Sequence, residues 1–210
     1  KTKSGNPILC GDPHLQLTLP SIWYEIQLKS EDGNSYGVSL PGLPGIIIGF
    51  NEDIAWSMTN AGHDVWDFYE IDWIDEERTR YTISGEEKKV EYRIEEINIK
   101  GGKTVYDTLK ITDLGIVANY ESSDGYKDLA FDWLPHRVPD KSELRTFSEM
   151  NKAGNYVEFS EALKHYIAPA QNFAFAGRDG DIALIVNGDL PIKEDQTGRF
   201  ITKESASGGN

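Results

Sequence analysis

The stretch Asn155-Tyr156-Val157-Glu158-Phe159-Ser160-Glu161-Ala162-Leu163-Lys164-His165-Tyr166-Ile167-Ala168-Pro169-Ala170-Gln171-Asn172-Phe173 changes its period part-way. Phe159, Leu163 and Tyr166 share one helical face, Asn155 is placed as the N-cap, and Pro169 closes the helix. Strand signals resume at Asn172, and Arg178-Asp179-Gly180-Asp181 reads as a turn into a second strand over Ile182 to Asn187. Just upstream, Leu144, Phe147 and Met150 define another helical face, capped by Ser142 and ended by Gly154. A helical pair over about 142–168 therefore interrupts a chain that returns at once to strand.

Upstream of the pair, strand signals dominate. Ile22 to Leu28, Ile46 to Phe50, Val65 to Ile74, Lys89 to Ile99 and Val105 to Thr112 are rich in β-branched and aromatic residues and are bounded by turn residues. Gly101-Gly102 joins the last two as a hairpin, an insertion over about 86–112 in which Val90, Tyr92 and Ile94 alternate with charged residues. Many strands, a helical pair and further strands predict an α+β fold with largely antiparallel sheets. The body extends over 1–203. The small polar residues of 204–210 have no core residue to hold them, and predict a flexible tail.

At 210 residues and 39% hydrophobic content the chain can bury a substantial core. Its net charge of −14 argues against nucleic acid and anionic membrane surfaces as partners. The single cysteine, Cys10, excludes an internal disulfide framework and a multi-thiolate metal site. The apolar run around Ile46-Ile47-Ile48 is too short to span a bilayer.

Three places carry candidate chemistry. Asn172, directly after a helix-closing turn, either aims its amide into a cleft as an oxyanion donor or bonds the turn backbone. His14, in the turn Gly11-Asp12-Pro13-His14-Leu15, either polarises a nucleophile or packs on the surface. Trp56 to Asp67 ends a strand in small residues, with the Asn60 N–H open to close approach, then presents Asp64 and Asp67. These two carboxylates and an intervening carbonyl either begin a Ca²⁺ site or are solvated acids. No Gly-rich phosphate loop and no Gly-x-Ser-x-Gly elbow is present.

In this order the pieces resemble the β-subunit of penicillin acylases, members of the N-terminal nucleophile hydrolases. The matching blocks are Lys3-Ser4-Gly5-Asn6-Pro7-Ile8-Leu9, Asp12-Pro13-His14-Leu15 and Leu19-Pro20-Ser21-Ile22-Trp23-Tyr24-Glu25. Pro41-Gly42-Leu43-Pro44-Gly45, Gly49-Phe50-Asn51, Ile54-Ala55-Trp56, Thr59-Asn60, Asp64 and Pro169-Ala170-Gln171-Asn172-Phe173 follow, so the likeness runs to about Lys193. It implies a partial four-layer αββα fold and hydrolysis of a linear amide, such as a penicillin side chain, by acyl transfer from an N-terminal serine. That serine is exposed by autoproteolytic processing and lies upstream of Lys1, so the fragment alone is expected to be inactive.

The resemblance further implies that Asn172 supplies an oxyanion amide, Asn60 a backbone N–H, and His14 a place beside the serine. Leu15, Trp23 and Phe50 border the acyl pocket. Asp64, Asp67 and the Trp66 carbonyl match calcium ligands of a structural Ca²⁺ that the chemistry does not require; other ligands come from elsewhere, one from the α-subunit. Lys193, after Gly188-Asp189-Leu190-Pro191-Ile192, stands where many members carry a substrate-site arginine, and an ammonium cannot reproduce a bidentate guanidinium. The implied partners are a small-molecule amide and an α-subunit from the same precursor. A role in antibiotic biosynthesis and a periplasmic or secreted location follow from the family. Two alternatives stand beside this reading: an acyl-homoserine lactone acylase, and a non-catalytic β-rich binding module.

Overall fold

The computed structural model describes residues 2–31, 33–121, 127–137, 143–193 and 200–203. In chain order the first strands are β1 (Tyr24–Ser30), β2 (Gly33–Ser39), β3 (Ile48–Phe50), β4 (Ile54–Asn60), β5 (Trp66–Glu70) and β6 (Asp72–Trp73). Next come β7 (Arg80–Ile83), β8 (Glu86–Lys89), β9 (Glu91–Ile97), β10 (Val105–Thr112), β11 (Gly115–Glu121) and β12 (Lys127–Trp133). The helices α1 (Glu143–Met150) and α2 (Tyr156–Ala162) precede β13 (Gln171–Gly177), β14 (Ile182–Asn187) and β15 (Thr202–Lys203). The proposed Ser142 cap and the 204–210 tail lie outside the described residues.

The chain divides into two compact units. The first joins Lys1–His63 to Val138–Asp189, and is one antiparallel sheet in the order β1-β2-β3-β4-β13-β14 backed by both helices. β13 lies between β4 and β14, with Phe173 opposite Met58 and Ile185. Alternation then sends Trp56, Phe173 and Phe175 to the helical side, where Phe147, Met150, Phe159 and Leu163 close over them. Burying these large side chains is the main stabilising contribution.

Two asparagines finish this packing. Asn151 accepts the Ile46 N–H through Oδ1 (2.7 Å) and donates from Nδ2 to the Ile46 carbonyl (2.8 Å), acting as a strand partner for a buried residue. Asn51 donates to the carbonyls of Asn151 (3.1 Å) and Ala153 (2.8 Å). Asn155 caps α2 as its position predicts: its Oδ1 accepts the Glu158 N–H (3.0 Å), and Glu158 reaches back to the Gly154 N–H (2.8 Å).

The second unit joins Asp64–Arg137 to Leu190–Asn210. It contains a sheet ordered β15-β5-β12-β11-β10-β9 and a three-stranded sheet β6-β7-β8. Its core gathers Ile71, Tyr81, Val90, Leu114, Val117 and Ala130. The strand expected over Val65 to Ile74 is broken at Ile71, because that side chain turns into this core and the chain passes from one sheet to the other. The β9–β10 hairpin closes through a Gly102 N–H to Ile99 carbonyl bond of 3.0 Å.

Candidate active site

The helix-free face of the first sheet carries the residues of interest. Direct cross-strand pairs share a face, so Asn172, Thr59 and Val186 lie together, with Ser57 and Ala174 beside them. Asn172 donates through Nδ2 to the Thr59 hydroxyl and to the Asn60 carbonyl, both at 3.2 Å. The Asn60 side chain turns to the other face, where its Oδ1 accepts from Gln171 Nε2 at 2.8 Å. Adjacent residues of β13 thus grip the end of β4 from both sides, and an Ala61 N–H to Ala170 carbonyl bond (3.0 Å) extends the pairing.

What aims Asn172 is the turn before it. Glu143, in the first turn of α1, accepts the N–H groups of Ile167 (3.2 Å) and Ala168 (2.7 Å) through one carboxylate oxygen. The Tyr166 hydroxyl donates to the Pro169 carbonyl at 2.9 Å. Burial, then the Glu143 charge, pushes that phenol well above its ordinary range, so it stays a donor. Gly188 passes so close to Ala170 that a Cβ there would meet its backbone.

The Gly11 segment, expected as a turn, runs irregularly across the same face of the sheet, with a bend only at Leu15. A Cβ on Gly11 would run into the side chain of Ser57, two residues along β4 from Thr59. His14 beyond it is exposed, with Nδ1 3.9 Å from the Asp12 carboxylate. Leu15 is also exposed. Phe50 lies on this face, its ring 5.5 Å from that of Tyr36. Trp23 packs against the buried aromatic cluster instead.

In the second unit, Lys193 Nζ lies 2.9 Å from Asp64 Oδ2, 3.0 Å from Asp67 Oδ1 and 3.5 Å from the Trp66 carbonyl. Asp67 is buried opposite Asp132 in the β5–β12 pairing, while the Trp66 ring is half exposed against Phe131. Burial is the largest single influence on the ammonium and lowers its pKa; hydrogen bonds and charge from Asp64 and Asp67 together outweigh it, and the net shift is upward. A cavity of about 290 Å³ in this unit, with Tyr81, Lys88, Glu91 and Asp113 among its walls, shares no residue with the Asn172 face.

Against known proteins, the sequence profile of the penicillin amidase family matches residues 1–208. The chain belongs to the penicillin amidase family. Over 94% of its length it is 27% identical to the acyl-homoserine lactone acylase QuiP of Pseudomonas aeruginosa, covering 24% of that protein. It is 30% identical to the penicillin acylase 2 proenzyme of Pseudomonas sp. strain SE83 over 49% of the chain and 13% of that protein. Among solved structures it superposes on a thermostable penicillin G acylase from Alcaligenes faecalis with a TM-score of 0.73 at 23% identity, covering 88% of this chain and 33% of the other. The chain thus spans about a quarter of the length of the acyl-homoserine lactone acylases it matches, and less of the penicillin acylase.

In this penicillin amidase family chain, the geometry brings Asn172 and Asn60 together and lays the Gly11 segment on the same face. Asp64, Trp66 and Asp67 gather around Lys193, so the lysine expected near substrate is engaged by the carboxylates expected to hold calcium. Sequence reasoning missed the Asn172–Thr59 bond and the Glu143 clamp. Thr59 had no local signal, since β4 and β13 pair across more than a hundred residues and no hairpin sets their register. Glu143 had none, because an acid in a helix's first turn is ordinary.

Proposed function

We propose that the full-length protein is an acylase that hydrolyses a linear amide through a serine at the N-terminus of its processed β-chain, upstream of Lys1. The serine oxygen adds to the amide carbonyl carbon and its proton passes to the serine's own α-amino group. An α-amino group with a pKa of about 7.7–8.0 is partly neutral near pH 7 and serves as that base. Collapse of the tetrahedral intermediate expels the amine with that proton. Water then cleaves the acyl ester and regenerates the serine.

The observation that carries this reading is the placement of Asn172 at the end of β4. Its two amide bonds, to Thr59 and Asn60, are both 3.2 Å. Bonds of that length are near the weak limit for N–H···O, so a substrate oxyanion can take over an amide N–H at small cost. The Asn60 N–H is the second proposed donor. His14 is assigned a place beside the serine; Leu15, Trp23 and Phe50 are assigned to the acyl pocket. The α-subunit of the same precursor completes the enzyme, and the sheets belong to a four-layer αββα fold. The 210-residue chain by itself is expected to have no amidase activity.

Acyl-homoserine lactones are the favoured substrate class, because the relatives matching 94% of the chain are acyl-homoserine lactone acylases while the penicillin acylase match covers 49%. Intact mass and N-terminal sequencing of protein from the full-length gene should find a chain starting with Ser shortly before Lys1. In that protein Asn172→Ala should cut turnover by about 10²–10³-fold by removing an oxyanion donor. Unchanged turnover would remove Asn172 from the oxyanion hole, whereas an uncut precursor without turnover would leave the binding-module reading. A panel graded in acyl length, with a phenylacetyl amide for contrast, separates lactone acylase from penicillin acylase.

A further inference from the structure

Asp64 and Asp67 are the residues that a calcium site would use, yet the space between them is taken. Lys193 Nζ lies about equally far from the two carboxylates, at 2.9 and 3.0 Å, with the Trp66 carbonyl at 3.5 Å. The lysine side chain is 15% exposed and that of Asp67 8%, so this is a largely desolvated pair with Asp64 at its wetter rim. Ca²⁺ needs six to eight oxygens at about 2.3–2.6 Å. An ion that close to both carboxylates would overlap the ammonium, and a second positive charge there is repelled. Among the described residues no group of three or more His, Cys, Asp and Glu is placed to hold a metal ion.

We propose that the Lys193 ammonium is a built-in counter-ion in the seat of the divalent cation, holding Asp64, the Trp66 carbonyl and Asp67 together without metal. The residues as folded do not fit a bound Ca²⁺. The location gives the device a purpose. Lys193 lies on the segment that returns to the second unit after β14, and the same segment then runs parallel to β5 as β15, pairing Thr202 with Tyr69 and Lys203 with Glu70. The ammonium therefore pins the returning chain to the head of β5, upstream of the backbone pairing. A tethered lysine does this at any calcium concentration; a shared metal would make it conditional on supply.

The test uses protein expressed from the full-length gene, with bound calcium counted by equilibrium dialysis and melting followed with and without a chelator. Asp67→Asn should leave the wild-type calcium count unchanged. Lys193→Met keeps the stem and removes the charge; it should melt lower than wild type in chelator, recover with Ca²⁺, and bind one additional calcium per chain at least about tenfold more tightly than wild type does at this place. Adding Asp67→Asn to Lys193→Met should abolish that gain. A wild-type calcium lost on Asp67→Asn would overturn the proposal, as would a folded Lys193→Met protein with no calcium gain. Should Lys193→Met fail to fold, the wild-type and Asp67→Asn counts still decide.

Discussion

The two units of this chain are held by different physics. In the first, aromatic side chains from β4, β13 and the helices form a dry cluster, and its ion pairs, such as Arg145–Glu149 and Lys164–Glu161, lie on the outer faces of helices. In the second, the core is smaller and charge pairs recur along the strands: Arg78–Asp128, Arg80–Asp75, Lys88–Asp113, Arg137–Asp132 and Lys193 with its two aspartates. Tyr92, Ile94 and Tyr106 of the β9–β10 hairpin remain exposed. Close packing fixes positions to fractions of an ångström, whereas ion pairs with one partner in solvent contribute little each and are screened by salt; the largely desolvated Lys193 pair is the exception. The unit that carries Asn172 is the one built by packing. An oxyanion donor, the role proposed for Asn172, tolerates little displacement, so the contrast fits that proposal.

The sharpest way to break this comparison is to hollow the packed unit. Phe159 is fully buried with its ring 5.1 Å from Phe175, and Phe159→Ala should cost about 3–5 kcal/mol. Amide exchange would read it, with protection falling in β4 and β13 and little salt dependence. Exchange that quickened only in β9 to β12 would contradict the assignment of stability to this cluster.

A smaller effect should follow at the polar edge of the same core. Asn151→Ala leaves the N–H and the carbonyl of fully buried Ile46 without their side-chain partner, at a cost of about 1–3 kcal/mol for each group stranded. Asn151→Asp keeps the acceptor but sets a second carboxylate oxygen, itself an acceptor, against the Ile46 carbonyl, so at pH 7 it should melt no higher than Asn151→Ala. An alanine variant that melted with the wild type would mean that Asn151 contributes nothing beyond the strand ladder.

The same contrast governs what the sequence revealed. Local signals found both helices, the Asn155 cap and the β13–β14 and β9–β10 hairpins, because each is set within a few residues. The change of sheet at Ile71 escaped, since Val65 to Ile74 reads as one apolar run and only the distant Tyr81, Val90 and Leu114 make Ile71 a core residue. At the site, the position of Asn172 at the start of a strand after Pro169 was legible locally, and its pairing with Asn60 came only with the family resemblance. Lys193 was placed near substrate by the same resemblance. Its engagement with Asp64 and Asp67 spans 126 positions for the latter, and no local pattern encodes a charge pair at that separation.

The mildest prediction concerns the charged unit and its response to acid. Asp75 accepts the Thr79 N–H at 2.8 Å, the Thr79 hydroxyl at 3.1 Å and Arg80 Nε at 3.2 Å. The Thr79 backbone bond is the largest influence, with the Thr79 hydroxyl and Arg80 adding to it against a smaller desolvation effect, and the carboxyl is held below its ordinary value of 3.8. A carboxyl whose pKa is lowered by folding stabilises the fold fully above its unfolded value, and that contribution fades as pH falls through the folded one. Asp75→Asn should therefore melt slightly below wild type at pH 7 and at pH 5, and the gap should close at more acidic pH. Melting curves of the full-length pair across that range test it. A gap that stayed constant into acid would mean that the Asp75 loop is held by shape and not by charge, and would weaken the contrast between the two units.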